Sequence, residues 1–333
     1  MGDDRARVRQ TQGSAMKDIS VVVPVYNSEA TLRELESRLR AVLGGLGSYE
    51  IILVNDGSRD GSYNICRELA EQHAEVKFIH FFRNFGQLSA LLAGLRAAEG
   101  RACVILDDDL QDPPEEIPKL LAKLAGGFDF VFSTSTEPKI GWLRSLGSRF
   151  TKRVTNYLFD KPRELTHASF LAMTGGLVAE LVRYDGPYPY IAGLIFRISQ
   201  NGANQEVKRD VRKAGASGYS LPRLVKLWVN AVTTFSVVPL RVALLVGTLA
   251  AVGGFLLLAS IVAVRLVYGY FLSGWASLFG ATLLFSGLQL VMLGIVGEYV
   301  GRSFMVLNRT PQYAIKESYN CPAAARPGSG AGT

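Results

Sequence analysis

The chain has 333 residues, of which 48% are hydrophobic and 20% charged, with a formal net charge of +7, a pI of about 9.3 and a mean hydropathy of +0.18. That length can bury a sizeable core, and the apolar content excludes a disordered chain, a collagen-like one and a small disulfide scaffold. The three cysteines, Cys66, Cys103 and Cys321, are odd in number and scattered, which fits neither a disulfide framework nor a zinc site.

Residues 1–17 are polar and Arg-rich, lack the apolar run of a signal peptide, and read as a disordered arm. From 18 to 216, short β-rich runs alternate with helical stretches. Ile19–Pro24 reads as a strand, and about Ala30–Leu46 as a helix with Leu32, Leu35, Leu39, Val42 and Leu43 at helical spacing. Ile51–Val54, Val76–Phe81, Cys103–Leu106 and Phe128–Phe132 read as further strands. Ser62–Gln72, Gln87–Ala98 and Glu115–Ala125 read as helices, the last opened by Pro113-Pro114. This alternation predicts an α/β domain with a mainly parallel, Rossmann-like sheet. Ligands bind such sheets beyond the carboxyl ends of the strands.

The apolar excess gathers after residue 235. Val242 through Val264 and Leu266 through Gly297 carry no charge, and a membrane span needs about 20 such residues. The expectation is a two-helix transmembrane hairpin within 236–304, with spans at about 242–264 and 277–297. A juxtamembrane amphipathic segment, 217–235, precedes it, and a tail of 305–333 follows. Lys208, Arg209, Arg212, Lys213, Arg223, Lys226 and Arg241 precede the first span, Arg302, Arg309 and Lys316 follow the second, and only Arg265 lies between. The positive-inside rule then places both ends and the α/β domain on the cytoplasmic face of the membrane. Because the basic excess surrounds the apolar stretches, nucleic acid is not the expected partner. Gly247, Gly253 and Gly254 permit close helix packing, which leaves a homo-oligomer open.

Four segments at predicted strand ends carry candidate chemistry. Leu106-Asp107-Asp108-Asp109-Leu110-Gln111-Asp112 is the strongest: carboxylates one residue apart at a strand end share a side, and hard oxygen ligands suit Mg²⁺ or Mn²⁺. Asn55-Asp56-Gly57-Ser58 offers a carboxylate on a tight turn. Val23-Pro24-Val25-Tyr26-Asn27 leaves the first strand. Arg83-Asn84-Phe85-Gly86-Gln87 sets a basic residue beside a helix N-terminus, which suits a phosphate. Each alone is also an ordinary turn or surface loop. His73, His80 and His167 have no metal-ligand spacing.

In this order the four segments resemble the GT-A glycosyltransferases of family 2. They are most similar to the polyprenyl-phosphate group that contains dolichyl-phosphate mannose synthase and the bacterial undecaprenyl-phosphate sugar transferases. The likeness resumes at Pro239-Leu240-Arg241 and at Gly297-Glu298-Tyr299-Val300-Gly301-Arg302, and covers about residues 18–318. The resemblance implies a GT-A catalytic domain followed by the hairpin. Pro24, Tyr26, Asn27, Asp56, Arg83, Gln87, Asp107 and Asp108 would then contact the nucleotide, and Asp107, Asp109 and Gln111 the metal. Arg144 and Ser148 match an Arg and a Ser that contact the acceptor phosphate in the family, with Arg212 and Lys213 beside them. Asp107, Asp109, Arg144 and Ser148 form the expected catalytic set. The chain departs from the family at Ser133-Thr134-Ser135-Thr136 and at Ser169-Phe170-Leu171-Ala172-Met173, where relatives often carry a basic residue, and at Gly218, where they often carry Lys.

The implied reaction is an inverting, metal-dependent transfer of a sugar from a nucleotide-sugar to undecaprenyl or dolichyl phosphate, for glycan or glycolipid modification of the cell envelope. A phosphate monoester, with a second pKa near 6, is already anionic at neutral pH and has little need of a strong general base. The alternative is a membrane-anchored family 2 enzyme that glycosylates a hydroxyl.

Overall fold

The computed structural model describes residues 17–134, 165, 168–186, 189–210, 238–268, 274–308 and 311–321. The chain divides into two compact units. One comprises Met1–Asp185, Pro189–Ser217 and Pro311–Thr333, and the other Gly186–Tyr188 and Gly218–Thr310.

The first unit is built on one eight-stranded sheet. In chain order its elements are β1 (Lys17–Val25), α1 (Leu32–Leu43), β2 (Tyr49–Asn55), α2 (Ser62–Gln72), β3 (Val76–Phe81), α3 (Gln87–Ala97) and β4 (Gly100–Ile105). A 3₁₀ turn (Pro114–Glu116) leads into α4 (Ile117–Ala125), followed by β5 (Phe130–Thr134), β6 (Leu171–Thr174), α5 (Gly175–Leu181), α6 (Ile191–Ile198) and β7 (Gly202–Glu206). β8 (Ile315–Tyr319) closes the sheet, whose order is β7-β5-β6-β4-β1-β2-β3-β8. Strands β4, β1, β2 and β3 pair in parallel, as do β5 and β7. β6 and β8 run antiparallel to their neighbours. The expected mainly parallel α/β sheet is present.

The centre of the sheet is buried on both faces, which is why β1 reads as a near-continuous Val run. Val21, Val23, Ile51, Leu53 and Phe78 join Leu35, Leu39, Cys66 and Leu69 of α1 and α2 in one core. On the other face α3 lies so close to β1 and β2 that a methyl group on Gly94 would overlap Val22 Cγ1. α1 is shorter than its apolar spacing predicts: residues before Leu32 are used in the preceding loop, and Gly44 and Gly45 end the helix. β5 begins two residues later than expected, after Gly127 at φ +96°.

A charged group is buried within the sheet, on the strands' amino-terminal side. Lys77 Nζ lies 2.6 Å from Glu50 Oε2 and 2.9 Å from Glu99 Oε2, with side-chain exposures of 8% for Lys77 and 1% for Glu50. Glu50 Oε1 also accepts the Ser20 hydroxyl and the Glu99 amide.

Within the expected tail 305–333, the described residues 311–321 are built onto the sheet. Tyr313 is buried and stacked on Phe81, with ring centroids 5.0 Å apart. Ile315–Tyr319 then adds to the edge of β3. Arg96 fastens this segment, donating to the Tyr313 hydroxyl and to the Tyr184 carbonyl. Tyr63 donates to Glu317 across the same edge.

In the second unit, α7 (Val238–Tyr268) and α8 (Trp275–Leu307) are longer than the spans expected at 242–264 and 277–297. They meet where Gly247 faces Met292. Leu244, Phe255, Leu293 and Phe304 are exposed. Among the described residues, one segment, Phe285–Leu307, is long and apolar enough to cross a membrane, and Leu240–Leu256 is a shorter apolar stretch. The juxtamembrane segment 217–235 lies outside the described residues.

Candidate active site

The parallel strands β1 to β4 deliver four loops to one edge of the sheet. These are Tyr26–Thr31 after β1, Asp56–Gly61 after β2, Phe82–Gly86 after β3 and Leu106–Pro113 after β4. The four motif segments therefore come together, as the strand-end rule requires. Their polar atoms are spent largely on one another.

Asp56 joins the second loop to the third. Its two carboxylate oxygens accept the amides of Phe85 at 2.6 Å and Gly86 at 2.8 Å, and the residue is 3% exposed. Burial pushes its carboxyl up to about 6, while the two amides and nearby Arg83 pull the other way. Gly57, at φ +65°, lies against the Arg83–Asn84 backbone, where any side chain would collide. Expected to hold nucleotide, Asp56 thus already serves as a loop clamp. Arg83 lies over the Phe85 ring, 4.3 Å from its centroid.

The first loop is held from both sides. Asn27, in the left-handed region at φ 55°, donates its amide to Ser58 Oγ at 3.0 Å, and its Oδ1 accepts the Arg59 amide at 2.9 Å. The Ser28 amide donates to Ser62 Oγ at 2.9 Å. From the other side, Asp108 Oδ2 accepts both the Tyr26 amide at 3.1 Å and the Ser28 hydroxyl at 2.5 Å. The Thr31 hydroxyl donates to the Asp108 carbonyl at 2.6 Å. Tyr26 itself is 46% exposed. Pro24 is buried within β1, opposite Val54 of β2, and has no polar side-chain atom to give the site.

The three consecutive carboxylates of the fourth loop have three different neighbours. Asp107 Oδ1 accepts Gln87 Nε2 at 2.8 Å. Asp108 faces the first loop. Asp109 accepts the Gln111 amide at 3.1 Å and Gln111 Nε2 at 2.6 Å, across Leu110 at φ 59°. Among the described residues, no group of three or more His, Cys, Asp or Glu side chains converges as a metal cage. Two carboxylates with one carboxamide oxygen nevertheless fit a Mg²⁺- or Mn²⁺-type ion. Such ions are commonly held by one or two carboxylates while phosphate oxygens and water complete the shell.

Asp112 was not among the expected site residues. It is 4% exposed, with Arg209 Nε 3.4 Å from Oδ1, and the Asp210 amide donates to the Gln111 carbonyl at 2.8 Å. Burial, with Asp107 and Asp109 nearby, raises its carboxyl to about 6 against the pull of Arg209. The chain after β7 is thereby tied to the acidic loop. The hydroxyls of Ser28, Thr31, Ser58 and Ser62 were also missed; Ser and Thr beside strand ends are too common to signal such bonds. Arg144, Ser148, Arg212 and Lys213 lie outside the described residues.

The family model for glycosyl transferase family 2 matches residues 20–174, the span that supplies these loops. An uncharacterized glycosyltransferase, YkcC, of Bacillus subtilis (strain 168) is 36% identical over 309 residues, covering 90% of this chain and 94% of its own length. Among solved structures, glucosyl-3-phosphoglycerate synthase of Mycobacterium tuberculosis with Mn²⁺ and UDP-glucose is 21% identical, over 66% of this chain and 77% of that chain, with a TM-score of 0.48. The same enzyme with UDP is 18% identical, over 66% and 79%, with a TM-score of 0.47.

Proposed function

The chain belongs to glycosyl transferase family 2, and from that premise we propose that it transfers a sugar from a nucleotide-sugar to polyprenyl phosphate at the cytoplasmic face of a membrane. The observation that carries the donor half is that the loops bearing Tyr26, Asp56, Arg83 and the Asp107–Asp109 carboxylates leave one sheet edge, with Asp108 bonded to the first loop, Asp56 joining the second to the third and Gln87 bonded to Asp107. The acceptor half is supported by the long apolar helices α7 and α8 with their exposed Leu, Val and Phe side chains.

In this reading Asp107 and Asp109, with Gln111, hold a divalent cation, Mg²⁺ or Mn²⁺, whose charge offsets that gathering on the departing nucleoside diphosphate. Tyr26 lies alongside the nucleoside. Gln87, bonded to Asp107, orients that carboxylate. Arg83 stands beside the N-terminus of α3, where amides and a cation favour phosphate. Arg144, Ser148, Arg212 and Lys213 are assigned to the acceptor phosphate on sequence grounds. An acceptor phosphate oxygen attacks the anomeric carbon, the bond from that carbon to the diphosphate oxygen breaks, and the configuration inverts. The acceptor is already anionic near neutrality, so the chain's task is to align it.

The test incubates detergent-purified full-length protein with Mn²⁺, undecaprenyl phosphate and a panel of nucleotide-sugars, and follows nucleoside diphosphate release. Release that requires lipid and metal together is the expected result and also names the donor. Release only with a hydroxyl acceptor would replace the polyprenyl phosphate assignment, and absence of release with every donor would overturn it.

A further inference from the structure

We propose that Asp108 is a positioning residue that sets Tyr26 against the nucleoside of the donor, so that this carboxylate governs donor affinity without touching the donor. The inference rests on the nucleotide-sugar reading above.

Asp108 sits between two residues assigned to the cation, yet its own carboxylate is engaged elsewhere. A single oxygen, Oδ2, accepts the Tyr26 amide and the Ser28 hydroxyl, and the Asp108 carbonyl accepts the Thr31 hydroxyl. One residue therefore contacts three positions of the β1–α1 loop, 77 to 82 residues away in sequence. The other bonds described hold the loop from its β2 side, through Ser58, Arg59, Asp60, Gly61 and Ser62. The Asp108 side chain supplies two of the three bonds that tie this loop to the acidic turn, and the third, from Thr31, ends on the backbone carbonyl.

The consequence concerns geometry across the donor. Tyr26 presents a half-exposed ring at the end of β1, and an aromatic face stacks on any base. Asp107 and Asp109 flank Asp108 in the chain and address the diphosphate end. Asp108 thus fixes the spacing between the surface that meets the base and the carboxylates that meet the diphosphate. Because both bonds from the loop end on Oδ2, an amide oxygen in the same place keeps both, and a methyl group keeps neither. The role depends on an acceptor atom and not on charge.

The experiment is calorimetric titration of the full-length, detergent-purified chain with UDP and with GDP in the presence of Mn²⁺. For whichever nucleotide binds, Asp108→Ala and Tyr26→Ala are each expected to weaken affinity about tenfold, in line with the loss of one stacked base. Asp108→Asn is expected to restore affinity to within about threefold of the starting protein. The decisive comparison is the double variant: if Asp108 acts through Tyr26, Asp108→Ala adds nothing to Tyr26→Ala. Losses that multiply, an Asn variant as weak as the Ala variant, or an Ala variant that binds normally would overturn the proposal while leaving the nucleotide-sugar reading intact. Failure of the starting protein to bind either nucleotide would overturn both. Should Asp108→Ala not fold, Ser28→Ala removes one of the two side-chain acceptor bonds, and the same cycle with Tyr26→Ala decides the matter.

Discussion

Asp56 Oδ2 lies 2.8 Å from the amide nitrogen of Gly86, across the gap between the loops that follow β2 and β3. With the companion bond to Phe85, this makes a buried carboxylate the fastener of half the site.

Asp56→Ala removes two charge-assisted bonds, each worth about 1.5–3 kcal/mol, but also relieves the burial of a charge, so a net destabilisation of about 2–4 kcal/mol is expected in denaturant unfolding. The pH dependence has a definite sign. The Asp56 carboxyl titrates at about 6 in the folded chain, against about 4 in an unfolded one. Between those values the folded chain holds more protons, so this group's contribution to stability falls as pH rises from about 4 to about 6 and is flat above. The stability of the natural chain minus that of Asp56→Asn should trace that fall. A difference that rises over this window would show the carboxyl titrating below 4.

The buried pair of Lys77 and Glu50 sits away from the site and makes a separate stability prediction. Lys77→Met leaves Glu50, 1% exposed, without its counter-ion and is expected to cost about 3–5 kcal/mol. Replacing both together with apolar residues should recover most of that loss, read as the urea midpoint.

Two glycines of positive φ distinguish crowding from backbone strain. Gly86, at φ +96° and ψ +151°, has open space where a side chain would go, so Gly86→Ala carries only the strain of a backbone region nearly exclusive to glycine, about 1–3 kcal/mol. Gly57→Ala adds a collision with the Arg83–Asn84 backbone and should cost clearly more. Melting temperatures of the two variants, measured side by side, check the order.

Asp109→Ala removes one of the two carboxylates assigned to the cation and releases Gln111 from its 2.6 Å bond. The expected outcome is loss of Mn²⁺-dependent nucleotide binding by at least tenfold, with little change in melting temperature. Chelation of the metal should produce the same loss in the natural chain.

Strands β1 to β4 were legible because they are apolar runs bounded by turn residues and separated by helices, of which α1 and α2 have a clear apolar face and α3 is buried nearly all round. β6 and β7 were not, since Leu171–Thr174 and Gly202–Glu206 are too short to establish a period. β8 alternates polar and apolar residues weakly, and its partner β3 lies more than 230 residues earlier. The site shows the same division. Asp56, Asp107, Asp108 and Asp109 were located from strand ends and turn chemistry. Their partners were not, because a carboxylate seen in a sequence reveals its place on a turn but not the amides or hydroxyls that fold against it.

The pairing of β8 with β3 constrains how the chain can cross a bilayer. β3 precedes α7 and α8, and β8 follows them, yet both strands belong to one sheet. A chain that leaves a folded unit, enters a bilayer and rejoins that unit must finish on the side where it started, so its crossings are even in number. If Phe285–Leu307 crossed alone, Ile315–Tyr319 would emerge on the opposite side from its partner strand. Any crossings between β3 and β8 are therefore even in number, and this parity follows from strand pairing independently of any distribution of charge.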